Sequence, residues 1–337
     1  MKSKLVSMVI WILVFGGVLL TISILSLCVG SAGIPLKTIV SLVFGGGSPT
    51  ENSILFNVRL PRVIVGFAIG GALSLAGVIL QGMFRNPLVE PYTLGISGGA
   101  ALGVCLNIIL GLHSFSLLSL PVSGFLGAGI IILFVYFLSM RKGVLKIHGL
   151  LLTGVMISFI SSSLIMLIMA VSRAEDLHGI VFWIMGSLEE PNWNLIRIMF
   201  LISILGLIIS YFFCLDLNAL SLGEEEAQHL GVNIERTKRL LFILASVLTG
   251  FSVSVAGIIG FVGLVVPHFV RLIVGGDHRI LLVGSFLCGA SFLIFCDTLA
   301  RTIISPMELP VGVITGILGG MLFIYALSRK QVILGKR

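Results

Sequence analysis

Charge is what this sequence has least of. Its 337 residues include 21 Lys+Arg and 14 Asp+Glu, 10% of the chain, where soluble domains carry about 25%. A water-soluble fold of this length could not cover its surface with so few charges, so that class is excluded. Paired cysteines are also lacking. Cys28, Cys105, Cys214, Cys288 and Cys296 lie inside apolar runs and form no CxxC pair, which excludes a redox motif or a thiolate zinc site and leaves them as small buried hydrophobes. A phosphate-binding loop is absent: the one Gly-Lys, Gly335-Lys336, sits at the end of the sequence with no glycine-rich strand-to-helix turn before it. This chain is therefore not expected to bind ATP. No two of the six histidines stand at i, i+4, and no catalytic group, metal or cofactor is expected. Basic runs interleaved with aromatics are missing, which argues against nucleic acid despite a net charge of +7.

What the sequence does have is long apolar runs with charged punctuation, and a mean hydropathy of +1.18. A spanning helix needs about 20 apolar residues. The runs predict an all-α polytopic membrane protein, a single domain over 1–337 with about ten transmembrane helices. The spans are read at 5–29, 63–84, two within 91–140 that fold back near 111–121, 149–171, 193–215, 240–259, 261–274, 280–300 and 311–328. The segment 261–274 is broken by Gly263 and Pro267. Ten spans put both termini on one side. Placing that side in the cytoplasm leaves Lys37, Arg59, Arg62, Arg173, Arg197 and Arg301 as the outer basic residues, with the rest of the 21 inside, as the positive-inside rule requires of a cell-membrane protein.

At an offset of 180 residues, Arg59, Gly70, Ser74, Ala76, Gly77, Ile79 and Pro87 match Arg239, Gly250, Ser254, Ala256, Gly257, Ile259 and Pro267. The two copies run in opposite directions across the bilayer, so the chain reads as an inverted repeat with halves at about 58–171 and 238–330. The outer stretch 172–192 is too apolar for a free loop and too short to span, and reads as a re-entrant or surface helix. The inner stretch 216–239 holds Gly223-Glu-Glu-Glu-Ala-Gln-His-Leu-Gly231, a short acidic helix ended by glycine. Ser161, Ser162 and Ser163 form either a polar stripe on a permeation path or helix-packing glue. Asp297 and Arg301 stand at i, i+4 and should pair.

Several motifs in order carry a resemblance. They are Arg59-Leu-Pro-Arg62, Gly70 to Gly77 with Gln81, Arg85-Asn-Pro-Leu88, Leu94 to Ala100, Phe182 to Ser187, Ser221 to Ala227 with Leu230-Gly231, Gly260 to His268, Arg271, Asp277-His-Arg279 and Glu308 to Gly312. Over nearly its whole length the chain resembles the permease family of ATP-binding-cassette importers for iron chelates (siderophores and haem) and vitamin B12. The resemblance implies a translocation subunit, not an enzyme, that dimerises with itself or a homologous permease. It implies two cytoplasmic ATP-binding subunits and an extracytoplasmic substrate-binding protein as partners. Ser221, Gly223, Glu224, Glu225, Glu226, Ala227, Leu230 and Gly231 would then couple to the ATPase, and Arg59, Arg62 and Arg301 would act as rim charges that dock the binding protein. Cargo would pass by alternating access at the dimer interface, along the fifth and tenth spans. Ser161 and Ser162 would lie on that path, and Ile147 and His148 where the vitamin B12 member closes its inner gate. That member carries small hydroxylated residues at the gate, which Lys146-Ile-His148 are not.

Three other readings need features to match. A vitamin B12 or molybdate-type oxyanion permease of the same family would share these motifs. An intramembrane protease would need paired acids at mid-membrane depth, and Asp297 is the one acid within a firmly read span. An ion-driven transporter would need such carboxylates on broken helices.

Overall fold

A computed structural model describes residues 2–30, 32–116, 118–141, 144–190 and 192–334. Among the described residues the backbone is nearly all helical, since a chain surrounded by hydrocarbon has to satisfy its backbone polar groups within each segment. A two-residue antiparallel ladder, β1 (Met140–Arg141) with β2 (Val144–Leu145), is the small exception.

The chain opens with α1 (Lys2–Cys28), followed by two short helices, α2 (Leu36–Val43) and α3 (Pro49–Ser53). A capping box starts α3: the Glu51 amide donates to the Ser48 hydroxyl, and the Ser48 amide donates to the Glu51 carboxylate. A π-helical turn, Ile54–Arg59, carries this helix into α4 (Leu60–Phe84). Sequence reading had no helix between residues 29 and 63, because the polar residues there break the apolar run. There follow α5 (Ile96–Ile109), α6 (Ser119–Ser139), α7 (Ile147–Val171), α8 (Ala174–Met185) and α9 (Trp193–Phe212). The polar stretch 216–239 carries the end of α10 (Cys214–Leu222), all of α11 (Glu224–His229) and the start of α12 (Ile234–Ala256). The chain ends with α13 (Val262–Val274), α14 (His278–Ala300) and α15 (Val311–Leu334).

Among the described residues, α1, α4, α6, α7, α9, α12 and α14 are long and apolar enough to cross a membrane by length and composition. The apolar helices Ile96–Ile109, Val262–Val274 and Val311–Ala326 are shorter. Together these ten occupy the ten expected spans in order. At 14 residues, α5 is about 21 Å long, against a hydrocarbon core of about 30 Å. Both α5 and α13 therefore start from irregular chain, the 3-10 turn Pro91–Leu94 and residues 257–261 respectively.

The centre of the bundle is α4. In the most apolar window of its helical run 83% of residues are buried, against 6% for α1. Small residues make this possible. A side chain built on Gly70 would strike the Gly289 carbonyl, and one on Gly289 would strike the Gly70 carbonyl, so α4 and α14 cross backbone to backbone. Around it, α4 packs on α13 and α14 as α12 packs on α5 and α6, and α13, α14 and α15 touch one another as α5, α6 and α7 do. The residue matches at offset 180 are less regular than the packing. Gly70, Ser74 and Ala76 share helical positions with Gly250, Ser254 and Ala256, but Gly257, at φ +71, is the C-cap of α12. Ile259 therefore lies beyond the helix end, and Pro267 lies inside α13 while Pro87 follows α4.

Candidate functional site

Three regions hold the residues singled out from sequence. The first is the hairpin α10–α11. Gly223, at φ +147, joins the two helices in a backbone conformation that favours glycine, and the Glu226 carboxylate fills the space a side chain there would need. Ser221, Glu224, Glu225, Glu226, Leu230 and Gly231 are exposed, while Gly223 and Ala227 are buried. Leu222 and Leu230 are 61% and 66% exposed beside the acidic turn. The hairpin is tied to α12 twice, by Glu224 to Lys238 at 2.7 Å and by the Thr237 hydroxyl donating to Asp216 at 3.3 Å. A cleft of about 620 Å³ lies between α11 and the start of α12, edged by Glu225, Gln228 and Glu235.

The second region lies at the opposite end of α4 and α14. Arg59, Arg62 and Arg301 meet there, but not as free rim charges: they are 2%, 5% and 5% exposed. The reason is that each guanidinium is enclosed by groups of its own chain. Arg59 donates to the carbonyls of Leu27 and Cys28 at the end of α1 and of Ala32 just beyond it. Arg301 donates to Asp297 at 2.9 Å and to the Ser26 hydroxyl at 2.9 Å. Arg62 donates through one nitrogen to Glu308 at 2.6 Å and Glu189 at 3.3 Å, and approaches Asp297 at 3.8 Å. The pairing of Asp297 with Arg301 expected from their spacing is present, and Arg62 joins it. Beside Arg62 a cavity of about 210 Å³ is lined by Phe182, Ser187 and Leu309. On the loop before α9, burial pushes the Glu190 carboxyl up, partly offset by the Asn192 amide that donates to it.

The third region is the face of α5, α7 and α8. Most of α7 lacks a partner in this chain: 17% of its most apolar window is buried, and Phe159, Met166 and Val171 are 68%, 70% and 78% exposed. The serines of α7 divide. Ser161, 2% exposed, packs on Gly98 of α5 as helix-packing glue. Ser162 is exposed and, with Ser97 and Ser158, lines a cavity of about 360 Å³ whose wall includes Met166, Met169 and Met185. Ile147 and His148 begin α7; their side chains lie outside the described residues.

Sequence reading missed the residues that hold the helix breaks. The Gln81 amide donates to the carbonyls of Gly263 and Leu264 at 3.2 and 3.3 Å, tying α4 to the first turn of α13. The Phe261 amide donates to Glu90 at 2.6 Å, where Phe261 sits at φ +69, and the Ile259 amide donates to the Tyr92 hydroxyl at 3.1 Å. Gln81 lies inside a quoted motif, but its partners are about 180 residues away and no local spacing marks them.

Residues 18–329 match the sequence profile of the FecCD transport family. The hemin transport system permease protein HmuU of Yersinia pestis is 41% identical over 281 residues, 82% of this chain and 84% of that protein. The cobalamin import system permease protein BtuC of Halobacterium salinarum is 38% identical over 287 residues, 85% of this chain and 76% of that protein. A solved structure described as an inward-facing conformation of a metal-chelate type ABC transporter matches with a TM-score of 0.84 at 33% identity, over 94% of this chain and 98% of that one.

Proposed function

We propose, from the premise that this chain belongs to the FecCD transport family, that it is the membrane-spanning permease subunit of an ATP-driven importer of iron chelates. It is a multi-pass membrane protein and a translocation component. The observation that carries the cargo class is the likeness to a hemin permease and to a metal-chelate transporter over most of both chains. Reconstitution with its binding protein and ATPase in proteoliposomes tests it: ATP-dependent uptake of labelled haem or ferric siderophore is expected. Uptake of cobalamin with neither iron chelate would overturn it.

Two copies, or one copy and a homologous permease, pair through the apolar face of α7, and cargo passes between them along α7 and α15. Ser162 faces this path, and Ile147 and His148 stand at its inner mouth. Burying an exposed apolar face of this extent is what a membrane dimer interface requires. The repeat halves rock against each other to alternate access, driven by ATP hydrolysis in separate cytoplasmic subunits.

Those subunits meet α10–α11, where exposed leucines flank an acidic turn, a surface made for a partner and not for water alone. Replacing Glu224, Glu225 and Glu226 together with Lys should abolish transport and release the ATPase from the purified complex, while the permease stays inserted. Retained uptake with the ATPase still bound would count against this surface. The same reading puts both termini and residues 216–239 in the cytoplasm of a cell-membrane protein. A Glu225→Cys variant, with the five native cysteines replaced, should resist an impermeant thiol reagent in intact cells and react once the membrane is opened. Labelling in intact cells would reverse the topology.

The binding protein docks at the opposite end, at Arg59, Arg62 and Arg301. Of these Arg62 borders the open cavity and is the one a carboxylate reaches, by displacing Glu308 or Glu189, while Arg59 and Arg301, enclosed by their own chain, hold the cluster in place.

A further inference from the structure

We propose that Asn218 is the positioning residue that transmits movement of the α10–α11 hairpin to the elbow between α13 and α14. The inference rests on the reading that an ATPase subunit grips this hairpin.

The geometry is specific. Asn218 lies on α10, and its side-chain amide donates to the Asp277 carboxylate at 3.0 Å. Its carbonyl oxygen accepts the His278 backbone amide at 2.9 Å and stands 2.8 Å from His278 Nδ1. Because the amide nitrogen is committed to Asp277, the oxygen is committed to His278, and the ring nitrogen facing it carries a proton. One side chain thus engages both residues at the start of α14. Asp277 is also the N-cap of that helix, accepting from the Arg279 amide at 3.1 Å. Burial acts to raise the Asp277 carboxyl, but the Asn218 hydrogen bond, the Arg279 amide and the Arg279 charge outweigh it and hold it below its ordinary range.

The residues around the tie make it a transmission point. Gly275 and Gly276, between α13 and α14, have nothing within 4 Å of where a side chain would stand, so the elbow is not packed in place. His278 is 3% exposed, and its ring lies against Gly82 of α4, where an added side-chain carbon would stand 2.8 Å from Nε2. A displacement of α10 is therefore delivered to the elbow and to the lower end of α4 at one point. The links from the hairpin to α12, Asp216 with Thr237 and Glu224 with Lys238, reach the other group of helices. The hairpin is then braced to both groups, and Asn218 is its polar tie to the α4–α13–α14 side. Only an amide fits, because the position needs a donor toward Asp277 and an acceptor toward His278.

The test exchanges the two side chains. Asn218→Asp sets two carboxylates against each other. Adding Asp277→Asn restores a donor–acceptor pair with the roles reversed, and the amide placed at the N-cap keeps an oxygen for the Arg279 backbone N–H. Each variant is purified with its ATPase and binding protein and reconstituted, and labelled haem uptake is divided by ATP hydrolysed. Asn218→Asp should lower uptake per ATP about tenfold, the scale of losing one hydrogen bond to a charged group, with co-purification of the ATPase unchanged. The double variant should return to within about twofold, since the charge-assisted bond is remade. Normal uptake per ATP in Asn218→Asp, or no recovery in the double variant, would overturn the proposal. Release of the ATPase by Asn218→Asp would also overturn it, because Asn218 would then belong to the docking surface. The triple glutamate variant tests the hairpin reading separately: if it retains uptake and ATPase, that reading fails whatever Asn218 does.

Discussion

Replacing Asp297 with Leu should be among the most damaging single changes in this chain, costing about 3–5 kcal/mol, the range found when one partner is removed from a buried ion pair. Asp297 is 4% exposed and lies between Arg301 at 2.9 Å and Arg62 at 3.8 Å. Without it Arg301, 5% exposed, is left as a buried charge with no acid beside it, while Arg62 keeps Glu308 and Glu189. Arg301 keeps only the Ser26 hydroxyl among its side-chain partners here. Thermal unfolding followed by size-exclusion in detergent should show the loss. The decisive comparison is the double variant Asp297→Leu with Arg301→Leu. Replacing a buried pair by apolar residues is often neutral, so the double change should be milder than the single one. A double variant as unstable as the sum of two singles would mean that the pair is not coupled.

The second large effect is expected at Gly257. Its backbone, φ +71 and ψ −158, lies where residues with a side chain are strained by about 1–3 kcal/mol. An added carbon would also run into the carbonyl of Trp183 and stand 3.1 Å from Gly186. Neither obstacle is a side chain that can turn away. The site is a junction: the Ser187 amide donates to the Ala256 carbonyl at 2.9 Å, and the Val311 amide donates to the Gly186 carbonyl at 3.1 Å. The ends of α8, α12 and α15 are thereby joined by main-chain hydrogen bonds. Gly257→Ala should give little folded protein. Gly316→Ala, on α15 with nothing within 4 Å, should be harmless. Equal yields and melting temperatures for the two would show that the junction tolerates movement.

The helices and their order were legible because apolar runs and charged breaks record bilayer crossings directly. Residues 172–192, too apolar for a loop, held α8, and residues 216–239 held the acidic α11. What was not legible was whatever depends on long-range packing. Gly257 ended α12 before the apolar run at 240–259 did, because its conformation and not its hydropathy decides the boundary. Arg59, Arg62 and Arg301 looked like rim charges, since sequence shows their distance from the span's middle but not the carbonyls and carboxylates that enclose them. Ser161 and Ser162 are adjacent, and only the position of α5 separates glue from path. Asn218 offered no signal, because its partners are about 60 residues on.

The separation of Arg62 from Glu308, 246 residues, bears on how the protein is made. A ribosome adds about 5–20 residues per second, so Glu189, 127 residues on, emerges about halfway through the roughly 12–50 s that Arg62 waits for Glu308, the acid that holds it most closely. Asp297 arrives only a little sooner. For most of that interval α4 lacks α12, α13 and α14, three of the neighbours that bury it. The early helices are therefore inserted as a provisional set, with a charged arginine near the end of their central member. A nascent chain stopped before α14 should be a substrate for membrane quality control and not a stable half-protein.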